Sequence, residues 1–258
     1  MLNHQPRSGW TRGETMPNLS DDDYMLPYGK RYRTMPDTLP ERHISARDIL
    51  SGVLPTKPRQ ETISGETRRI ASSILYQTLC MGAATNFKPS RLLNIGHPEY
   101  TPKPNISSRA TAFAKANDVL SPNQDDRGSM RGAFRHGLWQ AEITSQYGKD
   151  LAERVGNCHE LGQKMDTVRT AYRTIDEADR AADLRNNVIG RQLGDKYKDK
   201  SMKSKTYALL VQALVDGLFV SKQNTDGTYD VKKEKISSET FNRYLDVLNS
   251  LDENGNTK

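Results

Sequence analysis

Between residues 131 and 194, apolar side chains recur at helical spacing in three consecutive runs. The pattern predicts helices over 131–147, ended by Gly148, over 149–165, and over 174–193, with Gly194 as the C-cap. The third run, ADRAADLRNNVIGRQLG, is the least ordinary. Asp179, Asp183, Asn186 and Asn187 stand at i, i+4, i+7 and i+8, with Gly190 completing a polar, small-residue stripe. Ala178, Ala181, Ala182, Ile189 and Leu193 form the opposite, apolar stripe. Asp and Asn are mediocre helix formers because their side chains compete with the backbone for hydrogen bonds. Two adjacent Asn inside a helix therefore need a reason: a buried hydrogen-bond network, or a ligand. A solvated face would carry Lys and Glu, and this one does not.

The fold expected around this block is mainly α: a single helical domain over 61–258 with one small C-terminal β-hairpin, preceded by an extended arm over 1–60. Seven prolines punctuate the arm, from Pro6 to Pro58, without a sustained apolar period. A short helix at 44–53 is the one element it could hold. An amphipathic helix begins near Ser64 and carries Ile70, Ile74, Leu75, Leu79 and Cys80. Residues 86–108 read as a long proline-bearing loop, followed by a helix near 107–120 that Pro122 stops. KYKDKSMKSK (196–205) reads as a solvated basic linker, and 205–217 as an apolar helix. LFVSKQNTDGTYDVKK predicts a hairpin turning at Asp226-Gly227. A last amphipathic helix runs from Ser238 to Leu251, with Phe241, Tyr244, Leu245, Leu248 and Leu251 on its core face.

The net charge of +6 permits nucleic acid, anionic lipid or cell-wall partners and selects none. Cys80 and Cys158 lie far apart and give no metal-ligand spacing, so two free thiols in a reducing cytosol are expected. The first residues lack the apolar core of a signal peptide, and no run approaches the roughly 18 apolar residues of a membrane span.

Candidate chemistry gathers on the three predicted helices. RGAFRHGLWQAEIT places Arg135, His136 and Trp139 together, with Phe134, Leu138 and Ile143 free to face the core. LAERVGNCHE ends in His159-Glu160. Adjacent residues diverge by about 100° on a helix, so these two are not expected to act at one point. Gln163 rules out the HExxH zinc pattern. Cys158 lies on the apolar stripe and is read as core. The kit suits hydrolysis: Asp183 would orient His136 to activate water, while Asn186 or Asn187 and an arginine stabilise developing charge. Equally, His136, His159 and Asp183 could hold one divalent cation. The candidate catalytic residues are thus His136, Asp183, His159, Glu160 and Arg135. The candidate substrate-binding residues are Asn186, Asn187, Arg191 and Trp139.

The ordered set FRHxxWxxxxT, HE and DxxNNxxGR resembles a domain family found in bacterial polymorphic toxins and cell-wall-associated secreted proteins. Phe134, Arg135, His136, Trp139 and Thr144 carry the first motif. His159 and Glu160 carry the second, and Asp183, Asn186, Asn187, Gly190 and Arg191 the third. Gly132 stands where the family usually has Asp, which makes Asp125 or Asp126 a candidate substitute. Gln140 stands where Asn is common. The resemblance implies an antibacterial effector of the type VI secretion kind, made in the cytoplasm without a signal peptide and delivered into a target cell. It further implies a cognate immunity protein as partner, and a secretion-machine, chaperone or adaptor contact through the arm. An envelope hydrolase acting on phospholipid, a lipid-linked precursor or peptidoglycan is the first functional expectation. The alternatives are a nuclease toxin acting on cytoplasmic nucleic acid and a non-catalytic interaction protein. The basic segments 196–205 and 232–235 lack interleaved aromatics, which disfavours nucleic acid.

Overall fold

A computed structural model describes residues 65–96, 101–120, 126–160 and 169–258 of the chain. The proposed arm over 1–60 and its helix at 44–53 lie outside the described residues. Eight α-helices and three short strands follow in chain order among those described: α1 (Gly65–Ala84), α2 (Pro89–Ile95), α3 (Ile106–Lys115), α4 (Met130–Tyr147), α5 (Lys149–His159), β1 (Ala171–Tyr172), α6 (Ile175–Lys196), α7 (Met202–Val215), β2 (Leu218–Gln223), β3 (Tyr229–Glu234) and α8 (Ser238–Ser250). The protein is mainly helical with a small antiparallel sheet, as its periodicity indicates.

Side-chain caps set most helix starts. Asn105, Ser129, Thr174, Ser201 and Ser237 each accept a hydrogen bond from the backbone N–H three residues on. Asp176 and Glu177 add favourable charge to the first turn of α6. Gly148, at φ +88°, ends α4 and starts α5, a conformation that a side chain would strain. The hairpin forms as its turn residues require, with Gly227 at φ +83°. A third strand joins it in the order β1-β3-β2, pairing Ala171 with Asp230 and Tyr172 with Tyr229.

Helix α4 runs through the centre. Phe134, Leu138 and Ile143 are fully buried, and the Phe134 ring lies 5.4 Å from that of Tyr244 on α8. Helix α6 packs across α4 at unusually close range. A Cβ on Gly190 would stand 2.2 Å from the Gly137 carbonyl oxygen, and one on Gly194 would stand 2.2 Å from that of Ala141. Gly194 is therefore a packing glycine inside α6, not the expected C-cap. The helix continues to Lys196 because this contact, absent from local sequence, holds the turn.

Four other expectations change. Residues 86–108 contain α2, started by Pro89 and ended by Gly96. The helix expected over 149–165 stops at His159, and 161–165 lie outside the described residues. Segment 196–205 is not a solvated linker throughout. Met202, Lys203, Ser204 and Lys205 are the buried first turn of α7, with Lys205 Nζ 2.8 Å from Glu142 Oε2 and Lys203 Nζ 3.1 Å from the Leu251 carbonyl. Finally, Cys80 and Cys158 are not free thiols. They form a disulfide joining α1 to α5 across 78 residues of chain. No helix among the described residues is long and apolar enough to cross a membrane.

Candidate functional site

The close contact of α4 and α6 places polar groups where a core would ordinarily be apolar. Helix α4 supplies His136, α6 supplies Asp183 and Asn187, and the end of α5 supplies His159 and Glu160. His136, Asp183, Glu160 and Asn187 are all buried, while His159 is half-buried.

His136 is the hub. Its Nε2 lies 3.2 Å from Asp183 Oδ2 and 3.3 Å from Arg135 Nη2. Its Nδ1 faces Glu160 Oε1 at 3.8 Å, too far for a hydrogen bond, and neither atom has another partner. The His136 and His159 rings are 5.4 Å apart, and Trp139 walls the cluster with its ring 5.3 Å from that of His159.

His159 and Glu160 do converge, contrary to the expectation from helical divergence. Adjacent side chains diverge by about 100° only inside a helix, and α5 ends at His159. Glu160 occupies the C-cap at φ −85° and ψ 30°, so its side chain leaves the helical screw and turns back to His136. Two contacts from α1 hold this turn. Gln77 Nε2 donates to the His159 carbonyl at 2.7 Å, and the disulfide fixes Cys158 directly before it.

The surroundings oppose charge. Burial, then the Arg135 charge and His159, holds His136 well below the usual histidine range, with Asn187 pulling the other way. Burial and the Asp179 charge push Glu160 up to about 8, against Arg180 and Arg135. Burial and the charges of Asp179 and Glu160 raise Asp183 well above the usual carboxylate range. Asp179 is also raised by burial, although it accepts the Gly128 N–H at 2.5 Å. The result is a neutral imidazole between two carboxyl groups that resist ionisation. Such a set can relay a proton or take up a cation.

The other predicted residues divide. Arg135 belongs to the cluster and is steered by Asp126, which also pairs with Arg131. Asp126 is the carboxylate beside Arg135, and its backbone packs on Gly132, where a Cβ would stand 2.3 Å from the Asp126 carbonyl oxygen. Asp125 lies outside the described residues. Trp139 is buried and forms a wall, not an open substrate platform. Asn186 is engaged elsewhere. Its amide is spent on Phe219 of β2, donating to the carbonyl at 2.8 Å and accepting the N–H at 2.9 Å. Arg191 is directed to Gln140 Oε1, 3.3 Å away and one helical turn beyond His136. Asn187 stays in the cluster, with both amide atoms buried and lacking a hydrogen-bond partner. Sequence reasoning missed the Glu160 contact, and the only local signal for it was the end of the apolar stripe at Cys158.

No curated protein and no solved structure matches the chain. Residues 93–217, a span that holds every residue of the cluster but not Cys80, match a family described as a domain of unknown function, DUF6973, and this part of the chain is similar to that family.

Proposed function

We propose that this chain is a hydrolase that acts on the bacterial cell envelope as a delivered antibacterial toxin. One observation carries the reading: His136, buried in the middle of the protein, has a carboxyl group on each side and His159 beside it, all assembled from three helices. A fold spends stability on buried, poorly paired polar groups mainly where chemistry needs them. Asp183 orients the imidazole, which accepts a proton from water, and Arg135 at the same edge meets charge that develops on the substrate.

The disulfide favours the envelope over the cytosol, because such bonds form and persist in oxidising compartments. It also stands one residue from His159, where loss of the bond would loosen the cluster. The nuclease alternative loses support, because part of the basic segment 196–205 is buried and paired internally. Delivery through the arm and a cognate immunity protein remain part of this proposal on the strength of the motif resemblance.

Compartment-specific expression tests it. The chain is produced in a susceptible bacterium with and without an added export signal, beside a His136→Ala control. Killing that requires export and His136 is expected. Killing confined to the cytosolic form would overturn the envelope assignment, and killing by the variant would overturn the hydrolase assignment.

A further inference from the structure

We propose that His136, His159 and Glu160 form a zinc-binding site, with Asp183 acting as a positioning residue behind His136. One potential ligand atom from each of the three residues lies within 4.8 Å of the others. Zinc bonds of roughly 2.0–2.2 Å place tetrahedral ligand atoms about 3.4 Å apart. Closure therefore requires each side chain to move by less than about 1 Å, well within a rotamer adjustment.

The decisive feature is the gap between His136 Nδ1 and Glu160 Oε1. Both atoms are buried, both lack a partner, and they face each other at 3.8 Å. A direct hydrogen bond would bring them about 1 Å closer, and leaving both unmet costs desolvation twice. A cation between them satisfies both at once. The opposite nitrogen supports this assignment. Asp183 Oδ2, 3.2 Å from Nε2, can accept a hydrogen bond from Nε2–H, the tautomer that leaves Nδ1 as the ligating lone pair. That is the carboxylate–histidine–metal arrangement in which the outer carboxylate fixes ring orientation and raises ligand basicity.

Donor chemistry selects the metal class. Two imidazoles and one carboxylate suit zinc or a similar borderline transition ion, whereas calcium and magnesium take oxygen-rich shells. Three protein ligands leave a fourth position open, as catalytic zinc sites do. The sequence hides the site because its ligands come from helix α4 and the terminus of α5 rather than from one HExxH helix. The ligand set also differs from the one expected at first, with Glu160 in place of Asp183. This assignment refines the hydrolase reading, on which its chemical role rests: with Nδ1 engaged, bound zinc would take over the activation of water from the imidazole, and metal binding itself can be measured without any activity.

The test uses the full, untagged, disulfide-intact chain, stripped with chelator and titrated with Co2+ and then Zn2+. One equivalent of Co2+ should give the visible bands of a tetrahedral site, and Zn2+ should displace them. Glu160→Gln, which keeps side-chain shape, should bind at least 10-fold more weakly, and Asp183→Asn about 10- to 100-fold more weakly. Circular dichroism and the intact disulfide establish that the variants are folded. Where a variant does not fold, histidine NMR shifts of the wild-type protein on Zn2+ addition decide: both His136 and His159 must move. No binding near one equivalent by folded wild-type protein would overturn the site, as would unchanged affinity in both folded variants or histidine shifts confined elsewhere. If the wild type binds no metal while killing still depends on His136, the zinc assignment fails and the hydrolase reading stands. Metal binding without envelope killing gives the converse.

Discussion

Helix α4 buries His136 and Glu142 less than two turns apart and treats them oppositely. Glu142 is fully met: Lys205 Nζ stands 2.8 Å from one oxygen, and Arg109 Nη2 at 3.1 Å and Gln146 Nε2 at 2.8 Å serve the other. His136 has contacts at 3.2 and 3.3 Å on one nitrogen and no hydrogen bond on the other, which faces Glu160 at 3.8 Å. A buried charge with every partner present is a structural joint, here tying α3 and α7 to α4. A buried imidazole left partly unmet, among carboxyl groups that resist ionisation, is the arrangement expected of a site and not of a joint. Burial alone does not separate the two cases, whereas the completeness of hydrogen bonding does.

The largest expected effects test that contrast directly. Glu142→Ala leaves Lys205 buried and unpaired and should cost about 3–5 kcal/mol in denaturant unfolding. His136→Ala removes only long contacts and should cost about 1–2 kcal/mol, yet lower activity by about 10²–10⁴-fold. Equal stability losses would break the comparison and make His136 a second structural joint.

Next comes the disulfide, which bears on one region and not the other. Replacing both Cys80 and Cys158 by Ala should cost about 2–4 kcal/mol, through the freedom returned to the unfolded chain. Hydrogen exchange should show the loss at 155–160 first, because Cys158 and the Gln77 contact hold the His159–Glu160 turn. The Glu142 network, which has no covalent tie to α1, should open only with global unfolding. Uniform loosening of both regions would mean that the bond secures the whole molecule and not the site.

This division explains what the sequence could and could not disclose. The helices of the central block, the stop at Gly148 and the hairpin follow from periodicity and turn residues, which act over a few positions. His136 and Asp183 stood out because their neighbours in the motifs were unusual for a helix. The Cys80–Cys158 bond, the burial of Lys203 and Lys205, and the packing role of Gly194 each depend on a partner far along the chain. Nothing within one turn of Lys205 reveals that Glu142, 63 residues earlier, takes its charge. The His159–Glu160 convergence failed for another reason. It rests on where α5 stops, and helix ends are the least legible part of a periodic pattern.

The smallest effects come from Asn186 and Asn187, adjacent residues that repeat the α4 contrast on α6. Asn186 is complete, with its amide clasping both backbone groups of Phe219 and so docking the sheet on the helix. Asn187 is incomplete, its amide buried beside His136 with no partner at full hydrogen-bonding distance. Asn186→Ala should therefore cost about 1–3 kcal/mol, because it strands a backbone donor and acceptor. Asn187→Ala should cost under about 1 kcal/mol, because only a long contact to His136 is lost and a desolvated amide is removed. Activity should rank the other way, with Asn187→Ala the more damaging in a killing assay at matched protein level. The two measurements together separate structure from chemistry within a single Asn-Asn pair, where helix propensity treats both residues alike. If Asn187→Ala is both destabilising and harmless to activity, the partly unmet cluster is a packing compromise, and the argument from incomplete hydrogen bonding fails at His136 as well.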